Sequence, residues 1–160
     1  MNVEIVPAYN HPQEISSLFT EYTDMLIAGD KSFEKYLDIQ HYDAELEHLE
    51  GKYGKPFGRL YLAYYDGKAA GCVGLRKMDG QHCEMKRLYV RPQFRGKKIG
   101  EQLVQKIITD AKKIGYSYML LDTLPFLETA VRMYKRFGFY TVERYNDSPM
   151  STSIYMKLNL

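Results

Sequence analysis

The chain has 160 residues, with 22 Lys and Arg against 20 Asp and Glu and a formal net charge of +2. That length suits a single domain spanning residues 1–160, and the near-balance of charge removes the bulk electrostatic case for wrapping nucleic acid. Apolar residues are 45% and charged residues 26%, enough to bury a core without metal or disulfide support, while 15 Tyr, 7 Phe and no Trp favour rings with an apolar body and a polar tip.

Residues 3–6 are predicted as a short strand closed by Pro7. Pro12 opens a helix whose apolar face carries Ile15, Leu18, Phe19, Tyr22, Met25 and Leu26, and Gly29 ends it. Residues 33–49 show a weaker repeat through Tyr42, Leu46 and Leu49, predicting a second amphipathic helix that stops before Gly51. Residues 51–58, with Pro56, read as a loop. The period then changes. Residues 60–65, 69–75 and 82–90 are three consecutive strands, joined by the turns Asp66-Gly67 and Asp79-Gly80. Residues 100–114 form the clearest helix, with Leu103, Val104, Ile107, Ile108, Ala111 and Ile114 in one stripe and Gly115 as its terminator. Residues 118–121 are a short strand. Pro125 introduces a helix running to Phe137 in which Ala130, Met133, Tyr134 and Phe137 share a face, and residues 139–145 and 153–158 are the last two strands. An antiparallel meander followed by strand, helix and strand predicts an α/β fold: a mixed sheet flanked by helices, with 82–90 and 118–121 as a parallel pair.

Cys72 and Cys83 lie in apolar, strand-like runs and read as buried, inert thiols. The four His show no metal-ligand spacing, so no metal is expected. The start, MNVEIVPAYN, lacks the basic-then-apolar pattern of a secretory leader. No apolar stretch reaches the roughly 20 residues of a bilayer span, so the expectation is a protein without a membrane partner in a reduced cytoplasm.

The segment with most chemical content links a strand to the best helix: Val90-Arg91-Pro92-Gln93-Phe94-Arg95-Gly96-Lys97-Lys98-Ile99-Gly100-Glu101. Gly96 and Gly100 permit a tight turn and close approach of a ligand. The first N–H groups of a helix have no internal partner and carry the positive end of its dipole. Arg95, Lys97 and Lys98 add three cations at the same mouth, which suits a pyrophosphate. A basic turn with solvated side chains is the plainer alternative. The spacings GxxxxGK[ST] and GxGxxG are both absent, which sets aside the two common nucleotide folds.

With the preceding Glu84-Met85-Lys86-Arg87-Leu88-Tyr89-Val90, the run Arg95-Gly96-Lys97-Lys98-Ile99-Gly100 resembles the acyl-CoA motif of the GNAT N-acetyltransferases, Arg/Gln-x-x-Gly-x-Gly/Ala. Ala130-Val131-Arg132-Met133-Tyr134-Lys135-Arg136-Phe137-Gly138-Phe139 is similar to the second signature of that family, Ala-x-x-x-Tyr-x-x-x-Gly-Phe. The two stand in the family's order, and the resemblance spans residues 3–158. It implies the GNAT-type acyl-CoA N-acyltransferase fold: a mostly antiparallel sheet with a splayed parallel pair and about four helices. It also implies acetyl-CoA as cosubstrate and a primary amine of a small molecule or peptide as acceptor. Dimers are common in the family, so a homodimer is one assembly open to this chain. Lys98 departs from the family's usual glycine. A non-glycine residue there demands either a negative φ or a strain cost, and it could add a cation beside a CoA phosphate.

The resemblance assigns the roles. Backbone groups of Leu88, Tyr89 and Val90 would hold the pantetheine arm, and Arg95, Gly96, Lys97, Lys98, Ile99 and Gly100 the pyrophosphate. Tyr134 matches the tyrosine that protonates the departing thiolate; by its helical face alone, shared with Ala130 and Phe137, it reads as a core ring. Glu84, six residues before Val90, stands where family members with a glutamate base carry it, and is otherwise a partner for Lys86 or Arg87. A non-catalytic acyl-CoA-binding or sensing module is the alternative function. Asp38, Asp43, Glu45 and Glu47 could attract a cationic amine or simply face water.

Overall fold

A computed structural model describes residues 2–160. Seven strands form one sheet in the order β1-β2-β3-β4-β5-β7-β6. In chain order they are β1 (Val3–Pro7), β2 (Arg59–Tyr65), β3 (Lys68–Lys77), β4 (His82–Val90), β5 (Tyr118–Thr123), β6 (Tyr140–Val142) and β7 (Ile154–Asn159). β1 to β4 pair antiparallel, β5 lies parallel to β4, and β7 sits antiparallel between β5 and β6. Asp66 and Gly67 take φ of 49° and 82°, two left-handed residues whose twist suits the β2–β3 hairpin.

Helices α1 (Pro12–Gly29), α2 (Ser32–Ile39), α3 (Tyr42–Glu47) and α4 (Leu49–Tyr53) precede β2, α5 (Ile99–Ile114) joins β4 to β5, and α6 (Glu128–Phe137) joins β5 to β6. Alternation along β2 sorts the layers. Tyr61 and Ala63 share a buried cluster with Leu103, Val104 and Ile107 of α5, whereas Leu60 and Leu62 share one with Ile15, Leu18 and Phe19 of α1. Successive strand side chains point to opposite faces, so one unbroken apolar run serves two helix layers. Each such side chain stabilises by about 1.5–3 kcal/mol through burial.

β4 changes face partway along. Its pairing with β3 shifts by one residue between Cys72↔Tyr89 and Gly74↔Lys86, the mark of a bulge. Cys83 and Met85 lie in the α5 cluster, while Tyr89 lies in the α1 cluster. Strict alternation would have put all three on one side. Arg87 occupies the bulge with φ of 60°, a conformation that few non-glycine residues adopt. Its guanidinium is gripped by Glu45, with Nε and Nη2 each donating at 2.9 Å, and Nη2 also donates to Gln40 Oε1 at 2.6 Å.

That grip explains where the elements depart from the sequence pattern. The single helix expected over residues 33–49 is instead α2 and α3 with α4 after them, so the described residues carry six helices in place of about four. On one straight helix, Gln40 and Glu45 would lie about 140° apart around the axis. His41, at φ 56°, breaks the rod and lets both reach Arg87. α4 then runs through Gly51 to Tyr53, whose ring packs where a Cβ on Gly74 would stand 2.7 Å away; the loop expected from Gly51 begins only after that. α6 starts at Glu128, because Leu127 N–H first closes a turn onto Leu124 C=O at 3.0 Å. The strand expected over residues 139–145 shrinks to β6. Arg144 donates to the carbonyls of Asn146 and Ser148, both at 2.7 Å, and folds that stretch into a loop. Cys72 and Cys83 are both free and buried, and burial pushes the Cys83 thiol up to about 12.

Candidate active site

The parallel pair stays together only for His82↔Tyr118, Cys83↔Met119 and Glu84↔Leu120. Beyond Glu84 the β4 edge facing β5 carries no ladder among the described residues, which leaves room for another extended chain beside it. The gap opens into a narrow pocket. Met85, Lys86, Arg87 and Leu88 of β4 form one wall, residues 121–124 the other, and Tyr134 of α6 and Tyr22 of α1 close it.

β4 delivers the chain to the basic loop. A single 3-10 turn at Pro92–Phe94 leads to Gly96 at φ 81°, and α5 begins after Lys98. Lys98 takes φ 61°, so of the two outcomes the residue type allowed, the strained one is found, at a cost of about 1–2 kcal/mol. A Cβ on Gly100 would sit 3.7 Å from Val90 Cγ2, and one on Gly96 would meet nothing within 4 Å. Gly100 is therefore not required by packing within the chain, which fits a backbone left bare for a ligand. The three cations differ. Arg95 turns back to donate to Val90 C=O at 3.0 Å and lies over the Tyr89 ring, 5.9 Å from its centroid. Lys97 lies 5.0 Å over Tyr65, and Lys97 and Lys98 are exposed. Ile99 is buried as the first anchor of α5. Leu88 and Val90 pack toward the α5 cluster, while Tyr89 points to α1 and pairs with Cys72 of β3, so its backbone faces β3 and not the gap.

Tyr134 is buried, lines the gap and packs edge-on against Phe139 at 5.8 Å. Burial, then the nearby Tyr22 and Asp122, pushes its phenol well up, so it keeps its proton at neutral pH. Its ring belongs to the core cluster and the residue also lines the gap.

Glu84 is 1% exposed. Arg76 Nε donates to Oε1 at 2.6 Å, Tyr145 OH donates to Oε2 at 2.6 Å, and Lys86 Nζ stands 3.6 Å from Oε1. Burial pushes this carboxyl up, but Lys86, Arg76 and the Tyr145 hydrogen bond outweigh it and hold it below the usual range. Of the two basic partners suggested by sequence, Lys86 is beside Glu84, whereas Arg87 belongs to Glu45. Of the four acids that could have met a cationic amine, Asp38, Asp43 and Glu47 are exposed. Glu45 is buried, with its pKa pushed up by burial but drawn down to about 2 by Arg87 and Lys52.

Arg76 and Tyr145 were not legible as site residues. Arg76 faces Glu84 directly across the β3–β4 pair, one residue away from Cys83, which a two-residue turn at Asp79-Gly80 would have placed opposite it. Tyr145 lies 61 positions from Glu84 in an irregular loop, and nothing local in the sequence points to it.

A parallel pair that parts to seat an extended ligand, with a bare-backboned basic loop and a helix N-terminus at its mouth, defines an acyl-transfer scaffold rather than a doubly wound nucleotide fold. Residues 16–139 match the acetyltransferase (GNAT) family, and the chain belongs to that family. An uncharacterized N-acetyltransferase of Schizosaccharomyces pombe (strain 972) is 48% identical over 126 residues, covering 78% of this chain and 77% of its own. An uncharacterized N-acetyltransferase of Dictyostelium discoideum is 34% identical over 222 aligned positions that cover 100% of both chains. The structure of the PaiA N-acetyltransferase from Thermoplasma acidophilum, in complex with coenzyme A, superposes with a TM-score of 0.76 at 18% identity over 100% of both chains. The class of enzyme is thus N-acetyltransferase, and the likeness to the solved structure is one of fold.

Proposed function

We propose that the protein transfers the acetyl group of acetyl-CoA to a primary amine of a small molecule or peptide by direct attack. The reading rests on the divergence of β4 from β5 beyond Glu84 and Leu120, which leaves a strand edge beside the α5 N-terminus with the Tyr134 phenol in the gap. The residues fit the cosubstrate: Gly96 and Gly100 leave backbone open for a pyrophosphate, Lys97 and Lys98 add exposed positive charge, and the β4 edge at Leu88 and Val90 has no partner on the β5 side, where a pantetheine arm could lie. The thioester supplies an activated carbonyl and a thiol leaving group.

The protein's own part is positioning and proton management. The amine nitrogen forms the new C–N bond, the C–S bond breaks, the nitrogen loses one proton and the sulfur gains one. A free β4 amide polarises the carbonyl, and Tyr134, protonated throughout the physiological range, donates to the sulfur. Glu84 stays ionised, as a base must. Its depressed pKa makes it a relay, passing the amine's proton to water instead of keeping it.

Thiol release from acetyl-CoA, measured against a panel of amines and across pH, tests the reading. Turnover should rise with pH as the amine loses its proton, and Glu84→Gln should steepen that profile, losing most rate at the pH values where the amine is still protonated; an unaltered profile removes Glu84 as the base. Tight acetyl-CoA binding without thiol release against any amine would leave a sensing module instead.

A further inference from the structure

A second cleft adjoins the thioester pocket. It is wider, opens to solvent, and lies between α4, the loop at residues 54–58, β3, β4, and residues 145–147. Tyr36, Gln40 and Lys86 line both it and the thioester pocket, so anything in the cleft that reaches the reacting carbonyl passes Lys86. Five cations line the cleft: Lys52, Lys55, Arg76, Lys77 and Lys86. Three acids join them, Glu50, Glu84 and Asp147.

The innermost cation is short of a partner. The Lys86 side chain is 6% exposed, and its nearest carboxylate oxygen, Glu84 Oε1, is 3.6 Å away, beyond good hydrogen-bond length. That oxygen already accepts from Arg76 and its twin accepts from Tyr145, so one carboxylate is shared among two cations and a phenol. A buried ammonium without full hydrogen bonding is costly and calls for an anion. Its surroundings agree. Burial, then the positive charges of Arg87 and Arg76, lowers the Lys86 pKa against the opposing pull of Glu84 and Asp122. Burial and the charge of Lys86 lower Lys52 to about 8, although Glu45 holds it at 2.6 Å. The two lysines repel each other across a space that a negative group would fill.

We propose that Lys86, flanked by Arg76 and Lys52, binds a carboxylate of the acceptor, so that the amine acetylated is that of a small amino acid. This deepens the acetyl-transfer reading and rests on it. In an α-amino acid the amine and the carboxylate share one carbon. A carboxylate on Lys86 therefore holds the amine at the junction with the thioester pocket, within reach of Glu84. A polyamine would instead bring a second cation against Lys86 and Lys52, a repulsive contact that excludes it.

Two measurements on the same panel test this: thiol release from acetyl-CoA, and calorimetric binding to the CoA-saturated protein. The panel comprises free amino acids, their carboxamides and polyamines. Each acid should exceed its carboxamide by about ten- to hundredfold in kcat/KM, as a charged hydrogen bond would confer. Lys86→Met should erase that advantage while the KM for acetyl-CoA stays unchanged. Lys52→Met, at the rim, should erode it more weakly and covers the case in which Lys86→Met does not fold. Carboxamides or polyamines turned over as well as the acids would overturn the anion site and leave acetyl transfer standing. Acids that bind the CoA-loaded protein, with loss of binding in the lysine variants but no thiol release from any amine, would uphold the site and remove the transfer.

Discussion

The cosubstrate side and the acceptor side of the gap are built on opposite plans. On the side proposed for the cosubstrate, β4, the loop and the first turn of α5 are continuous in sequence, and Gly96 and Gly100 leave the backbone bare. On the side proposed for the acceptor, Arg76, Glu84, Lys86 and Tyr145 come from β3, β4 and a distant loop, and charged side chains meet in a buried network. Backbone recognition needs a few glycines and one strand break. Side-chain recognition needs several elements fixed against one another, which makes it the more fragile and more adaptable half.

The sharpest way to break that contrast is to remove the anchor of the acceptor side. Glu45→Ala leaves Arg87 buried at the bulge without its carboxylate and should lower stability by about 3–5 kcal/mol in denaturant unfolding. Retention of wild-type stability would mean the bulge holds without that pair. Acidification reaches the same pair more gently. The folded pKa of Glu45, about 2 against an ordinary 4.5, is depressed, so its contribution is present above pH 4.5 and fades as pH falls through about 2. Linkage at 1.36 kcal/mol per unit puts the loss at about 3 kcal/mol. Unfolding midpoints followed across that window should fall in the wild type and stay flatter in Glu45→Gln.

Tyr134→Phe probes the junction of the two halves. It removes only a hydroxyl, so acetyl-CoA should bind unchanged while kcat falls about 100-fold, the lower range for a general acid. An unchanged steady-state rate would return Tyr134 to the core alone. The smallest effect belongs to the cosubstrate side. Lys98→Gly relieves the left-handed strain at φ 61° but adds flexibility to the unfolded chain. The net gain should be about 0.5–1 kcal/mol in thermal unfolding, with a modest rise in the KM for acetyl-CoA if the Lys98 ammonium touches a phosphate.

Legibility in the sequence follows the same division. β4 emerges with the bounds its pattern predicts, and α5 differs by one residue at its start, because an apolar stripe and two flanking glycines mark it. The loop between them carried its chemistry in adjacent residues. Residues 33–53 misled because three short helices wrap around one arginine. No helical period records a bend imposed from 42 positions away by the pairing of Arg87 with Glu45.

By itself the sequence determined the strand meander, the parallel crossover, the glycine-bearing basic loop and the tyrosine on α6. Each depends on contacts within a few residues or on a strict period. Only the tertiary structure decided that Lys98 is strained, that Glu45 locks the bulge instead of facing an amine, and that Lys86 stands underpartnered between two cavities. The balance of charge at a buried site is a sum over every group nearby, and sequence order does not say which groups those are.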